Sequence, residues 1–353
     1  MFDALGAWDG QGIVVHRDRP SGGWFLIGIH DTTLGPAAGG TRMKVYPSLD
    51  DAVMDVQRLA VGMTRKSAIA GLPFGGGKAV LALPMLPTGM DRRDLLLRYA
   101  DLVESLRGTF VTATDVGTTS EDMDVIGERT RFVFAKTVAT GGSGSSGVPT
   151  ARGVRHGIAA ALRDAFGTAQ VRGRTIAIQG LGSVGGHLAE LLAQDDARLV
   201  VADVDPDRAR DVAQRVGATV VDPATILRAE CDVLAPCALG GILDSVTIGR
   251  LRCRVVAGAA NNQLTEPADA ERLGERGILY APDYVINAGG AIGIIGKELL
   301  GWDDDVLEER LAGIGLTLAA VFDSARRLGI PTAEAAERLA AERIHDARAA
   351  RAA

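Results

Sequence analysis

The chain has 353 residues, enough for two domains, and 47% of them are hydrophobic, which is ample for sizeable cores. Its 38 basic and 44 acidic residues give a net charge of −6, which argues against nucleic acid or an anionic membrane as the main partner. No apolar run reaches transmembrane length, and the first ten residues lack the basic and apolar regions of a signal peptide, so we expect a cytoplasmic protein. The cysteines and histidines show no metal-ligand spacing, so we expect no structural metal.

The first part of the chain predicts two strands, a loop and a helix. Residues 12–16 and 24–30 have the composition of strands, and the Gly- and Ala-rich residues 34–42 predict a loop. Ser48 begins a capping pattern, followed by apolar residues at helical spacing. Lys66 extends the apolar stripe if the helix runs that far. Its ammonium then either meets an anion or reaches solvent at the helix end.

Lys78 follows three consecutive glycines and precedes an apolar run. The chain has only five lysines, so a lysine is a candidate for chemistry, because its pKa can be shifted and that of arginine cannot. The spacing excludes a Walker A loop. The glycines either let backbone or a ligand come close to Lys78, or they form a bulge before an edge strand. After a predicted helix over 91–107, the strand-like TFVTATD ends at Asp115, whose carboxylate serves a cleft or a turn.

A Gly- and Ser-rich segment over 138–150 is a candidate hinge, and it precedes a long helix and a glycine motif. Gly180, Gly182 and Gly185 form G-x-G-x-x-G between a strand-like run and a helical pattern. These glycines and the helix N-terminus suit a pyrophosphate. The next strand ends at Asp203, which suits ribose hydroxyls and repels a 2′-phosphate. No arginine is adjacent, Arg208 being the nearest later candidate, so the motif predicts NAD.

Beyond Asp203, strand-like and helical patterns alternate, which predicts a parallel, doubly wound sheet. The predicted strands cover residues 218–221, 231–237, 254–260 and 277–282. Two helices, over 303–325 and 332–347, follow.

The chain contains, in this order, the motifs GPAAGGTR, MTRKSAIAGLPFGGGK, TATDVGTT, GSGSSG, GLGSVGG, CDVLAPCALGG, VVAGAANNQL and LYAPDYVINAGG. In these motifs it resembles the amino acid dehydrogenases over nearly its whole length. These are the leucine, valine and phenylalanine enzymes, relatives of glutamate dehydrogenase. The resemblance implies an α/β fold of two domains. An N-terminal α/β substrate-binding and oligomerisation domain would comprise residues 1–148 and 326–353, and a Rossmann doubly wound NAD-binding domain residues 149–325. A homo-oligomer is also implied, and the strand-like WFLIGI favours it because its faces show little polar alternation.

The resemblance also implies roles for individual residues. Lys78 would activate the water or carbonyl, Asp115 would exchange protons with the amino group, and Lys66 would pair with the substrate carboxylate. Further substrate contacts are implied for Ala38, Gly39, Gly40, Asn261, Ala291 and Ile294. Cofactor contacts are implied for Ser146, Thr150, Gly180, Gly182, Ser183, Val184, Gly185, Asp203, Cys237, Ala238, Ala260 and Asn287.

The reaction implied is reversible, NAD-dependent oxidative deamination of an apolar L-amino acid to the 2-oxo acid and ammonia. Glutamate dehydrogenase carries a cationic residue at the position of Ala38, which binds the side-chain carboxylate of its substrate. Because alanine has no charge, we do not expect glutamate to be the substrate here. Leucine and valine dehydrogenases typically carry leucine at the position of Ala38 and valine at that of Ala291. The two alanines therefore favour L-phenylalanine, with leucine, valine or tryptophan as alternatives. A non-enzymatic alternative is an NAD-responsive DNA-binding protein, against which the acidic balance argues.

Overall fold

The computed structural model describes residues 8–352, which form two compact units. The first comprises the chain up to Gly144, Lys297–Gly301 and the chain from Ala340 onward; the second comprises Ser145–Gly296 and Trp302–Leu339. The first seven residues, on which the signal-peptide argument partly depends, lie outside the described residues. No helix within residues 8–352 is long and apolar enough to cross a membrane.

The sheet of the first unit has five strands in the order β1-β2-β4-β3-β5. Their bounds are Gly12–Asp18, Gly23–Asp31, Ala37–Lys44, Gly75–Ala82 and Phe110–Thr114 for β1 to β5. The pairs β1–β2 and β2–β4 are antiparallel, whereas β3 is parallel to both β4 and β5. The prediction of a loop over 34–42 is therefore wrong, because most of that segment is the interior strand β3. Glycine and alanine have low strand propensity, but in an interior strand they permit close approach of neighbouring side chains and backbone.

Helices cover both faces of this sheet. They are α1 (Leu49–Ala70), α2 (Gly89–Ser105) and α3 (Ser120–Gly127). Helix α1 begins as predicted, with the Ser48 side chain accepting a hydrogen bond from the Asp51 N–H, and it extends past Lys66. It packs its apolar residues on Leu26 and Val80 of the sheet. Helices α2 and α3 pack on the opposite face, around the buried Tyr99 and Phe110.

The second unit contains a parallel six-stranded sheet in the order β11-β10-β9-β6-β7-β8. Its strands are Thr175–Gln179, Arg198–Ala202, Thr219–Val220, Val233–Pro236, Val255–Val256 and Leu279–Tyr280 for β6 to β11. The chain starts in the middle, adds strands on one side and then crosses to the other, which is the doubly wound order. The prediction of this sheet is confirmed, although the four later strands are shorter than expected.

The remaining helices are α4 (Gly147–Phe166), α5 (Ser183–Gln194), α6 (Pro206–Val216), α7 (Ser245–Ile248), α8 (Ala268–Glu275), α9 (Asp283–Ile286), α10 (Gly289–Glu298), α11 (Asp304–Leu328) and α12 (Thr332–Ala352). Helix α4 begins at Gly147, so the predicted hinge segment ends in a helix, and the division between Gly144 and Ser145 falls inside it.

Helix α12 contributes to both units. At its start, Thr332 donates a hydrogen bond to the Tyr280 carbonyl at 2.7 Å, whereas near its end Arg343 donates to the last carbonyls of α1. The division at residue 340 therefore lies later in the chain than the predicted boundary at 326. Which domain binds which ligand stays a prediction.

Candidate functional site

Lys78 and Asp115 form an ion pair in the first unit, with 3.2 Å between Nζ and Oδ1. Lys78 lies on β4 and Asp115 directly follows β5, and strand β3 separates these two strands. The two side chains meet because Gly40, on β3 between them, has no side chain. A Cβ atom on Gly40 would lie 2.9 Å from the Asp115 Cβ and 2.2 Å from the Thr114 carbonyl oxygen. The glycine predicted for the substrate loop therefore lies in the sheet, where it makes room for the pair.

Lys78 is not at the start of an edge strand, as one interpretation of its glycines allowed, but inside the interior strand β4. Its side chain is 7% exposed and that of Asp115 is 20% exposed. Burial lowers the pKa of Lys78 below its ordinary value, although the Asp115 carboxylate opposes this. Burial tends to raise the pKa of Asp115, but Lys78 and Arg42 outweigh it and the pKa falls. The site thus holds an ionised carboxylate beside an amine that is more easily deprotonated than in water.

The other predicted substrate residues of the first unit lie on the strands and helix around this pair. Lys66 is half-buried near the end of α1. Ala38 and Gly39 lie on β3, not in a loop. Ala38 has no exposed surface, so protein atoms already surround it.

In the second unit, the G-x-G-x-x-G segment forms the tight turn that its sequence predicts. Gly180 has φ +88°, and its N–H donates to the Ala202 carbonyl at 2.8 Å. A Cβ atom on Gly185 would lie 1.9 Å from the Gly180 carbonyl oxygen, so helix α5 can approach the strand only with glycine there. Gly182 has no atom within 4 Å of its Cβ position. Open space therefore lies in front of the N-terminus of α5, where Ser183 and Val184 begin the helix and a pyrophosphate fits.

Asp203 follows β7, where it faces the same turn. One carboxylate oxygen accepts the Leu181 N–H at 2.7 Å, and the other accepts the Asp205 N–H at 2.9 Å and Nη1 of Arg208 at 3.2 Å. Burial would raise the pKa of Asp203, but these donors lower it and keep the side chain ionised. Beside it, a cleft of about 540 Å³ is lined by Gly182, His187, Asp205 and Arg208. The arginine that the sequence places five residues later thus contacts the acid directly.

Two exposed apolar residues in the loops beside the glycine turn were not predicted. Val204 follows β7 and Leu239 lies in the loop after β9, and they are 89% and 79% exposed. Strands β7 and β9 flank β6, so both loops border the glycine turn. Exposed apolar side chains suit the faces of an adenine ring. In the sequence, these two residues could have been found from their positions directly after the strands that flank the glycine motif.

The remaining cofactor candidates gather around the same end of the sheet. Ala238 lies against Gly180, Cys237 against Gly185, and Ser183 against Gly147. Ser146 and Thr150 lie near Gly290 at the start of α10, and Thr150 donates to the Ser146 carbonyl at 2.7 Å. Ala260 follows β10 and is buried.

Asn287 carries a buried oxygen, Oδ1, that has no hydrogen-bond partner among the described residues. Its Nδ2 donates to the Ala259 carbonyl at 3.1 Å and to Oδ1 of Asn261 at 2.7 Å. A buried acceptor without a donor is costly, so Oδ1 suits an amide N–H of a ligand such as a nicotinamide. Ala291 and Ile294, three residues apart on α10, are both half-buried. The predicted substrate residues thus divide between the two units.

These observations fit a dinucleotide. Glycines that leave space before a helix N-terminus, an ionised acid for the ribose and an unsatisfied amide oxygen correspond to the parts of NAD. Within residues 8–352, no group of three or more histidine, cysteine or acidic side chains has the arrangement of a metal site.

Comparisons with known proteins agree with both units. A family model described as "Glu/Leu/Phe/Val dehydrogenase, dimerisation domain" matches residues 23–132, and one described as "Glutamate/Leucine/Phenylalanine/Valine dehydrogenase" matches residues 141–207 and 207–352. A leucine dehydrogenase of Thermoactinomyces intermedius is 44% identical, covering 98% of this chain and 93% of the relative. A valine dehydrogenase of Streptomyces albus is 45% identical, covering 96% and 93%. The crystal structure of L-tryptophan dehydrogenase from Nostoc punctiforme is 39% identical with a TM-score of 0.88, covering 99% of both chains.

Proposed function

Because the chain belongs to the Glu/Leu/Phe/Val dehydrogenase family, we propose that it catalyses the oxidative deamination of an apolar L-amino acid at Lys78 and Asp115, with leucine and valine as its best substrates. It is an oxidoreductase, and its cofactor is NAD. The observation that carries the proposal is the ion pair between Lys78 on β4 and Asp115 directly after β5, both mostly buried and brought together over Gly40.

The chemistry follows from these two groups. NAD, when bound, supplies the acceptor for the hydride that leaves the substrate Cα. The imino acid that remains adds water at the same carbon. Lys78, as a neutral amine, takes the proton of that water, because burial lowers its pKa. Asp115 relays a proton to the nitrogen, so that ammonia leaves and the 2-oxo acid remains. Lys66 holds the substrate carboxylate throughout.

The two alanines in the sequence and the similar relatives favour different substrates. Ala38 and Ala291 favour phenylalanine, but the similar curated relatives are leucine and valine dehydrogenases, which favours the branched-chain alternative. An aromatic substrate is the second candidate, and the similarity to the tryptophan dehydrogenase favours it.

We expect L-leucine and L-valine to give kcat/KM values at least about tenfold above those of L-phenylalanine and L-tryptophan. A change of a few methylenes in an apolar pocket changes discrimination by about 1–3 kcal/mol. Initial rates of NADH formation over a panel of amino acids measure this. The matched variant is Ala291→Val. If wild type prefers phenylalanine or tryptophan and Ala291→Val shifts it toward leucine, the small residues define the pocket and the aromatic candidate is correct.

The pairing of Arg208 with Asp203 gives a prediction about the cofactor. Wild type should prefer NAD, because the Asp203 carboxylate repels a 2′-phosphate. Asp203→Ser releases Arg208, and the ratio of kcat/KM for NADP to that for NAD should rise about ten- to hundredfold, since a hydrogen bond to a charged group contributes about 1.5–3 kcal/mol. Adding Arg208→Ala should remove that gain.

Arg210→Ala is the control for this measurement, because Arg210 lies on the same helix and pairs with the exposed Asp207. A wild-type preference for NADP, or a gain in Asp203→Ser that survives Arg208→Ala, would contradict the account of the ribose site.

Two further proposals accompany the function. We propose that the chain forms a homo-oligomer through the first unit, because the model matching residues 23–132 is described as a dimerisation domain. We also propose that it works in the cytoplasm.

A further inference from the structure

Within the first unit, a series of hydrogen-bonded charged side chains extends from Asp115 to helix α1. Arg42 donates from Nε to Asp115 Oδ2 at 2.8 Å and from Nη1 to Asp55 Oδ2 at 2.9 Å. Asp55, on α1, also accepts the Tyr46 hydroxyl at 2.7 Å and Nη2 of Arg58 at 2.8 Å. The two Asp115 oxygens are therefore divided, one facing Lys78 and the other Arg42.

Arg42 and Asp55, which link Asp115 to α1, are mostly buried. The side chains of Arg42 and Asp55 are 17% and 14% exposed. Buried ion pairs are weak evidence for stability, because desolvation offsets much of their attraction. Arg42 lies on β3 two residues after Gly40, so it shares the face on which Lys78 and Asp115 meet. A guanidinium also suits this place, because its planar fork can bind two carboxylates in fixed directions and an ammonium cannot.

We propose that Arg42, anchored by Asp55, is a positioning residue that holds the Asp115 carboxylate in the orientation in which it faces Lys78. The proposal rests on the roles proposed above for Lys78 and Asp115. Without Arg42, Oδ2 loses its donor, and the carboxylate can rotate away from the amine. Arg42 also keeps Asp115 ionised, as a base must be before it accepts a proton.

The pH dependence of the reaction reports this arrangement. The charged and titratable groups near the pair include Arg42 from β3, Tyr46 after it, and Asp55, Arg58 and Lys66 from α1, besides Lys78 and Asp115 themselves. Arg42 lowers the pKa of both Lys78 and Asp115, whereas Asp55 raises that of Lys78. Deamination needs Lys78 neutral and Asp115 ionised, so activity rises with pH. Removing Arg42 should move that rise to higher pH, and removing the charge of Asp55 should move it to lower pH.

The experiment compares Arg42→Gln, Arg42→Lys and Asp55→Asn with wild type in the full-length protein, with NAD and the best amino acid substrate. We expect Arg42→Gln to lower kcat about ten- to hundredfold, part of the effect of an acid–base group, with KM within about threefold. The rise of kcat/KM with pH should move upward in Arg42→Gln and downward in Asp55→Asn. Arg42→Lys should recover part of kcat, because it restores the charge but not the fork.

The matched control is Arg98→Gln, which breaks another partly buried arginine–aspartate pair, with Asp18, in the same unit. It should lower thermal stability and leave the pH profile of kcat/KM in place. If Arg42→Gln keeps kcat within threefold of wild type and the profile does not move, while Lys78→Ala is inactive, the positioning role is wrong and the proposed function stands. If Arg42→Gln does not fold, an unmoved profile in both Arg42→Lys and Asp55→Asn overturns the proposal. If wild type oxidises no amino acid, the proposed function is wrong.

Discussion

Lys78→Ala is expected to lower kcat by at least about 100-fold, the usual contribution of a general acid–base group. Burial lowers the pKa of Lys78, and the Asp115 carboxylate 3.2 Å away fixes its position, so the chain places an amine that is able to deprotonate water. Lys78→Arg should lower kcat by a similar factor, because arginine keeps its proton and cannot act as a base. Lys66→Ala should instead raise KM, since it removes the partner of the substrate carboxylate. Initial rates at saturating NAD separate the two effects.

Lys136→Ala is the matched control, since Lys136 lies in the same unit and its ammonium donates to the Thr140 carbonyl at 3.2 Å, whereas Lys78 pairs with Asp115. Added primary amines should restore part of the activity of Lys78→Ala, because a small amine fits the space that the side chain leaves. A rate for Lys78→Ala within a few-fold of wild type would show that the catalytic base has been wrongly assigned.

Gly40→Ala is expected to abolish most activity and to lower stability. The added methyl would lie 2.2 Å from the Thr114 carbonyl oxygen and 2.9 Å from the Asp115 Cβ, and backbone atoms of an interior strand cannot move aside cheaply. Overpacking of this kind costs about 1–3 kcal/mol, and here it also pushes Asp115 away from Lys78. Thermal unfolding and kcat measure the two effects.

The matched control is Gly62→Ala on helix α1. Gly62 is exposed and has no atom within 4 Å of its Cβ position. Alanine should raise helix stability there by about 0.5–1 kcal/mol and leave kcat unchanged. If Gly40→Ala keeps both the melting temperature and kcat of wild type, the close packing of the pair over Gly40 is not required.

The elements that the sequence predicts well are those whose pattern is local. The Ser48 cap with the helix that follows it and the G-x-G-x-x-G turn each depend on neighbouring residues, and the structure contains both. The sequence left open whether that helix reaches Lys66, and in the structure it does. The strand β3 was missed because glycine and alanine signal a loop locally. Only its position between β4 and β5 makes those small residues suitable for a strand.

The candidate site likewise contains residues that the sequence indicated and contacts that only the fold creates. The sequence and its resemblance to known enzymes indicated Lys78 and Asp115, since lysine is rare here and the acid ends a strand. The contacts of Arg42 with Asp115 and Asp55 were not foreseen. These two acids lie 73 and 13 residues from Arg42 in the sequence and meet it only in the folded unit. The contact of Arg208 with Asp203 likewise needs the geometry of the turn after β7.

The most direct test of the central claim is the stoichiometry of the reaction with L-leucine and NAD. The account predicts one NADH, one ammonia and one 2-oxo acid for each leucine consumed, with D-leucine inert and the Lys78→Ala variant at least about 100-fold slower. No NADH from any apolar L-amino acid, or NADH formed without ammonia, would contradict it.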